Sequence, residues 1–342
     1  MKKTASVFIP HYGCPNDCVF CNQVKISGKT TNLDYVAIEK DIIRDISTID
    51  EKDTAEIAFF GGSFTAIEGE VQEICLSLAN NLRKKLNRDI KIKLSTRPDA
   101  IDEKIIDRLL KYKVDTVELG VQSLDDEVLF FSNRGHNSEQ VFKASQLIKQ
   151  ANISLGLQIM IGLPNDTKEK LYNTIEKVIS IKPDIARIYP VLVIKDTQLE
   201  HMYRQGIYKA MELDEAIDLS AYMYKKFENS GINVIRIGLQ ATDNINFDKD
   251  VVAGPFHSAF GELVLNKIYR DKIEQILLEE NFAQKTVVIK SHKKYISKIL
   301  GNKKRNYNYF KDKYGISIKI ESSQDDIIDI MGRRFSDKSV LQ

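Results

Sequence analysis

The stretch SVFIPHYGCPNDCVFCNQ, residues 6–23, sets a short β-branched and aromatic run directly before a loop that carries three cysteines. Ser6 to Pro10 reads as a strand, and Gly13 and Pro15 behind it mark a loop. The same grammar recurs down the chain. Candidate strands at Ser6–Pro10, Glu56–Phe60, Ile90–Ser95, Thr116–Gly120, Ser154–Met160 and Ile185–Leu192 alternate with amphipathic stretches at Tyr35–Ile46, Val71–Leu86, Glu103–Tyr112, Glu139–Ala151 and Lys168–Ile181. Strands separated by helix-length segments form βαβ units with right-handed crossovers, and six of them curl into a partial (βα)6 parallel barrel of the α/β class. In such barrels chemistry sits at the strand C-terminal ends, and every unusual polar motif in this chain falls there.

Beyond Asp196 the pattern changes to a helix over Leu213–Asn229 and an alternating run over Asn233–Leu239. The expected organisation is a barrel over 1–200, a barrel extension over 201–281, a small basic α/β module over 282–320 and a tail over 321–342. Fifty basic and 48 acidic residues leave a net charge of +2, so any attraction for an anionic partner must be local. No apolar run is long enough for a signal peptide or a membrane span, which predicts a cytoplasmic protein with no membrane partner. Three of the four cysteines lie within eight residues, a spacing that suits metal binding in a reducing compartment better than disulfides. Cys75 stands apart at a helical core position.

Cys14, Cys18 and Cys21 follow a C-x3-C-x2-C spacing. Three thiolates leave one iron of a four-iron cubane open to an outside ligand, whereas zinc would close the site with His11 as a Cys3His set. The pattern C-x3-C-x-Φ-C, with Phe20 at Φ, resembles the signature of the radical S-adenosylmethionine (SAM) superfamily. FFGGSFT, STRPD, VELGVQS, NRGH, IGLPN and RIYPVLVIKDT follow in the order seen in the Elongator catalytic subunit-like branch. That resemblance covers residues 8 to about 200. It implies a 4Fe-4S cluster on Cys14, Cys18 and Cys21, and reductive cleavage of S-adenosylmethionine to a 5′-deoxyadenosyl radical. No glycine-rich acetyl-CoA loop follows residue 200, so the acetyltransferase half of that branch is not expected. With no second cluster motif, an external electron donor is.

The other motifs carry candidate cofactor contacts. Gly61 and Gly62 let bare backbone approach a ligand, and the resemblance gives this position the methionyl ammonium; Ser63 stands where the wider family has Glu, so no carboxylate role transfers. Arg97 and Arg134 offer forked donors for a carboxylate or ribose, and the resemblance gives Arg134 the carboxylate of S-adenosylmethionine. Glu118 and Gln122 alternate with apolar neighbours and should face the barrel interior. A buried Glu needs partners, which are either the ligand or a core network with an arginine. Gln158 and Gly162 fall in the motif that flanks adenine in the family. Arg187 and Tyr189 alternate on the sixth strand, with Tyr189 the candidate catalytic residue.

Residues 284–313 hold ten Lys or Arg against the single acid Asp312, interleaved with Tyr295, Tyr307, Tyr309 and Phe310. That mixture suits phosphate attraction and base stacking. The order of elements, with the loop GNKKRN between two helical stretches, resembles a degenerate KH-type RNA-binding module whose G-x-x-G loop keeps Gly301 and has Lys304 in place of the second glycine. The expectation is radical chemistry on RNA, tRNA or rRNA. The alternatives are a non-catalytic RNA-binding protein with a structural zinc or regulatory iron-sulfur site, and a radical SAM enzyme acting on a small molecule.

Overall fold

A computed structural model of the chain describes residues 2–9, 14, 17–22, 33–239, 247, 249–280, 284–336 and 339–341. The six expected strands all form: β1 (Lys2–Ile9), β2 (Thr54–Gly61), β3 (Ile90–Thr96), β4 (Thr116–Gln122), β5 (Ser154–Ile161) and β6 (Ile185–Pro190). Pro190 ends β6 before the Leu192 expected from sequence, and a two-residue β7 (Val193–Ile194) belongs to a separate ribbon. The run at 233 becomes β8 (Asn233–Ile237) and joins the main sheet, which has order β1-β2-β3-β4-β5-β6-β8 with every pair parallel. β9 (Val251–Ala253) pairs with β7.

Five crossover helices match expectation to within two residues: α1 (Tyr35–Ser47), α2 (Gly69–Lys85), α3 (Glu103–Lys111), α5 (Ser138–Gln150) and α6 (Lys168–Ile181), with a short α4 (Asp126–Phe131) before α5. Their starts are written in the sequence. Asp34, Asp102, Asp125, Asn137 and Thr167 each accept a first-turn backbone N–H, worth about 1 kcal/mol apiece. On the helix-facing side of the sheet lie Val7, Ile57, Ile92, Leu94, Val117, Leu119, Leu157, Ile159 and Ile188, all buried in one core with the helices. The residues between them are Thr4, Glu56, Lys93, Ser95, Glu118, Gln158 and Arg187, which bond to one another across the concave face. A parallel sheet covered by helices on its convex face has only this concave face left for polar side chains.

Further along come α7 (Gln198–Arg204), α8 (Leu213–Asn229) and α9 (Phe260–Glu279). α9 was not legible in the sequence because its apolar residues run round its circumference, as it packs against α8 on one side and the C-terminal module on the other. That module runs β10 (Thr286–Ser291), α10 (Ile296–Leu300), α11 (Arg305–Tyr314), β11 (Ser317–Ser322), β12 (Ile328–Ile330) and β13 (Arg333–Phe335), in sheet order β11-β10-β12-β13. The expected tail over 321–342 is therefore corrected: β12 and β13 complete this sheet, with Ile328, Ile330 and Phe335 in its core.

Candidate active site

The cysteine loop follows β1 and is held from distant parts of the chain. Cys21 N donates to Cys18 O at 2.9 Å, closing a turn through Val19 and Phe20. Val19 N donates to Ser132 O at 3.2 Å, Leu199 N to Val19 O at 2.7 Å, and Asn133 Nδ2 to Asp17 O at 2.7 Å. The end of α4 and the start of α7 thus grip the loop from two sides. Arg134 reaches its sulfur: Nη1 donates to Cys18 Sγ at 2.9 Å while Nη2 donates to Gly120 O at 2.6 Å, at the end of β4. Cys14 Sγ lies 3.5 Å from Ser63 Oγ, just past β2.

This donor set fits an iron-sulfur cluster. Burial, with the charges of Cys18 and Cys14 adding to it, pushes the Cys21 thiol up to about 12, so the three sulfurs are near enough to repel as thiolates, a repulsion that bound iron would relieve. The guanidinium on Cys18 would supply the positive charge and hydrogen bond that tune a cluster sulfur. His11, the fourth ligand of the zinc alternative, lies outside the described residues. Among the described residues no group of three His, Cys, Asp or Glu side chains converges on a single-ion site.

The other candidate residues separate into a rim and a floor. Gly61, with φ 115°, crosses so close to the Ile9 carbonyl that any Cβ would collide with it, and Gly62 N donates to that carbonyl at 3.0 Å; the turn alone accounts for glycine at 61. Ser63 is buried beside Cys14. Arg97 forks onto Asp99 through Nε and Nη2 at 3.0 and 3.1 Å, leaving buried Nη1 without a partner among the described residues. Arg134 Nε is likewise unpartnered. Gln122 belongs to this rim. A bulge between Gly120 and Gln122, with φ 68° at Gln122, brings its amide beside Gly120 near Arg134. Gly162, also with positive φ, sits past β5, and its carbonyl accepts from Tyr208 Oη at 2.7 Å.

Glu118 and Gln158 lie on the floor, where Glu118 is the centre of a side-chain network and Gln158, half-buried, is one of its donors. Glu118 is 1% exposed, and both its oxygens are engaged: Oε1 accepts from Lys93 Nζ at 2.7 Å and Arg187 Nη2 at 3.0 Å, Oε2 from Arg187 Nε at 2.7 Å and Gln158 Nε2 at 3.0 Å. The arginine network, the other reading open from sequence, is what forms. Burial works to raise this carboxyl, but the charges of Arg187 and Lys93 outweigh it and hold it below the usual carboxylate range. Tyr189 Oη accepts from Arg187 Nη1 at 3.3 Å, and burial raises its pKa. Tyr189 is thus tied to the floor network.

Two participants were missed. Lys93 stands with Lys91 at alternate positions of an otherwise apolar strand, a signal that the concave face is polar. His136, two residues past Arg134, is buried beside Arg134 and Arg97, and neither ring nitrogen makes a hydrogen bond among the described residues.

Residues 8–178 match the radical SAM superfamily, and residues 183–270 match the radical SAM C-terminal domain. A tRNA uridine(34) acetyltransferase of Methanocaldococcus jannaschii is 33% identical over 228 residues, covering 61% of this chain and 41% of that protein. Elongator complex protein 3 of Saccharomyces cerevisiae is 29% identical over 188 residues, 49% of this chain and 34% of that protein. Among solved structures, the archaeal Methanocaldococcus infernus Elp3 with an N-terminal deletion superposes with a TM-score of 0.60 at 25% identity, over 82% of this chain and 64% of that one. The chain belongs to the radical SAM superfamily, and its cofactors are a 4Fe-4S cluster and S-adenosylmethionine. It spans about two-fifths of the length of the archaeal acetyltransferases that it matches.

Proposed function

We propose that this protein is a cytoplasmic radical SAM enzyme that modifies RNA, with tRNA favoured by the names of its relatives. The observation that carries the reading is the Arg134 bridge from Cys18 Sγ to Gly120 O, which locks the cysteine loop to the end of β4. Cys14, Cys18 and Cys21 would hold the cluster, and Gly61, Gly62, Ser63, Arg97, Gln122, Arg134 and Gly162 would line the S-adenosylmethionine site. When bound, these groups supply a 5′-deoxyadenosyl radical for hydrogen abstraction. Arg97 and Arg134 would supply guanidinium donors to a carboxylate or a ribose hydroxyl, each having one buried nitrogen with no hydrogen bond among the described residues. Glu118, Gln158 and Lys93 hold the Arg187 guanidinium rigid beneath Tyr189, the candidate for contact with the reacting substrate. An external reductant supplies the electron.

The RNA half of the reading rests on the basic segment, and the fold refines it. Lys294, Arg305 and Lys313 are paired with Asp326, Asp214 and Glu274, and Lys298 lies over the rings of Tyr269 and Tyr295. Lys285, Lys290, Lys293, Lys303, Lys304 and Lys311 are exposed with no ion pair among the described residues, and these are the cations offered to phosphate. Tyr295 and Phe310 lie in the module core, so they are not stacking platforms. Lys304, in the place of the second KH glycine, adopts φ 61°, the left-handed conformation that glycine favours.

The test is anaerobic. Protein reconstituted with iron and sulfide is mixed with S-adenosylmethionine and dithionite, and 5′-deoxyadenosine is followed by chromatography. Product formed by the wild type and abolished in Cys14→Ala, Cys18→Ala and Cys21→Ala supports the reading. No product from fully clustered protein overturns it and favours an RNA-binding protein without radical chemistry.

A further inference from the structure

Behind the cysteine loop, between α4, the start of α5 and α7, lies a cavity of about 870 Å3. Its floor includes His136 and Val19, the residue after Cys18. His136 is 6% exposed, and neither ring nitrogen has a hydrogen-bond partner among the described residues. Burial and the neighbouring Arg134 depress its pKa to about 3, so the ring is a neutral donor–acceptor. The Val121 carbonyl faces it without hydrogen-bond geometry and favours the proton on that side. Both nitrogens have almost no accessible surface, so the polar contacts that the cavity can offer come from its walls.

The walls show what chemistry the cavity offers. Asn137 and Gln140 form a capping box at the start of α5: Asn137 Oδ1 accepts from Gln140 N, and Gln140 Oε1 accepts from Asn137 N, both at 3.0 Å. Both carbonyl oxygens are thereby taken, and both NH2 groups remain as fixed donors with no bond among the described residues. Asn133 has the opposite arrangement, with its Nδ2 on Asp17 O and its Oδ1 unused. Phe130, 79% exposed, stands at the rim with Phe131 edge-on to it at 5.6 Å. Among the described lining residues the one carboxylate, Asp126, already accepts from Ser138 N and Oγ. An uncharged set of fixed donors and acceptors beside an aromatic face does not suit phosphate or carboxylate. It suits a planar heterocycle with hydrogen-bonding groups along its edge.

We propose that this cavity captures one unstacked nucleobase of the RNA substrate, stacked on Phe130 and read along its edge by Asn137, Gln140 and Asn133. The proposal rests on the RNA reading above and goes beyond it by placing a base-binding site away from the basic C-terminal module. A base held here lies against the loop of Cys18 and one side chain away from Arg134, so the strand that carries it is delivered to the mouth of the barrel.

The test uses the full chain with its cluster reconstituted and a short RNA stem-loop with an unpaired loop, with affinity measured anaerobically by fluorescence anisotropy. Phe130→Ala should weaken binding about tenfold, the scale of one lost base–aromatic stack. Gln140→Glu and Asn137→Ser keep the helix cap while removing the NH2 donors. Both should weaken binding several-fold with the melting temperature unchanged, and the neutral Ser variant separates this loss from added charge. Unchanged affinity in all three variants overturns the pocket and leaves RNA binding to the basic module. Displacement of the stem-loop by S-adenosylmethionine in direct competition overturns it by assigning the cavity to the adenine of the cofactor. Unchanged RNA affinity with slowed reduction by a flavodoxin also overturns it, since the aromatic rim would then serve a protein reductant. Wild-type protein that cleaves S-adenosylmethionine but binds no RNA sinks the pocket together with the RNA reading on which it rests.

Discussion

Arg134 donates one guanidinium nitrogen to Cys18 Sγ, 116 residues away in sequence, and a second to Gly120 O, joining the cysteine loop to the end of β4. One side chain thus ties together the Cys18 sulfur, which would ligate the cluster, and the strand end beside which S-adenosylmethionine would lie.

Replacing Arg134 by Lys keeps the charge but cannot make both bonds, since an ammonium is a point donor and the bridge needs a planar fork. Hydrogen bonds to metal ligands typically affect metal affinity or activity by about 10–100-fold. Iron bound per chain and 5′-deoxyadenosine formed by Arg134→Lys should both fall by about tenfold or more, with the far-UV circular dichroism of the wild type retained. Wild-type cluster content and turnover would show that the bridge is incidental.

Glu118→Gln should be among the most destabilising single changes in the barrel. It leaves Lys93 and Arg187 facing each other in a buried site with their shared counter-ion gone, and breaking such a pair costs about 3–5 kcal/mol. The effect depends on pH. Because the folded carboxyl lies below the unfolded value of about 4.3, its contribution is complete above that value and is lost as pH falls through the folded pKa. The melting-temperature gap between wild type and Glu118→Gln, measured by calorimetry, should therefore be constant near neutrality and narrow in acid. A gap unchanged down to low pH would mean that the network is not held by charge.

The difference between what was readable at Cys14 and what was readable at Glu118 has a physical cause. The cysteines, the glycines past β2 and the arginines past β3 and β4 announce themselves because loop chemistry and strand periodicity are local. The six strands were legible for the same reason. Whether a buried glutamate meets a ligand or an arginine depends on the register between β4 and β6, which no local pattern encodes. The bulge that moves Gln122 to the rim depends likewise on a left-handed residue inside a strand. The aromatics of the basic segment were misread because stacking platforms and core anchors share the same residue types: Phe310 is fully buried where an exposed ring was expected.

At Gly301 the backbone has φ 78°, and a Cβ there would lie 2.8 Å from Asn306 N. Asn306 in turn donates through Nδ2 to the Asn266, Lys298 and Ile299 carbonyls, tying the loop to α9. Gly301→Ala should cost about 1–3 kcal/mol through strain and displacement of this anchor. It should show as a lower melting temperature and as faster hydrogen exchange over α10 and α11. Retained stability would mean that the first glycine is kept for a ligand instead of for packing.

Lys304 supplies the converse case. A non-glycine residue at φ 61° carries a left-handed penalty of roughly 1–2 kcal/mol, partly offset in a Lys304→Gly variant by the greater chain entropy of glycine. The variant should therefore be more stable than wild type by about 0.5–1 kcal/mol. If the exposed ammonium meets an RNA phosphate, the same change removes one counterion release, so the slope of log affinity against log salt should fall by about one unit. Greater stability with a shallower slope would show that the chain keeps a strained lysine for its charge. Greater stability with an unchanged slope would place the RNA phosphates elsewhere on the module, among Lys285, Lys290, Lys293, Lys303 and Lys311.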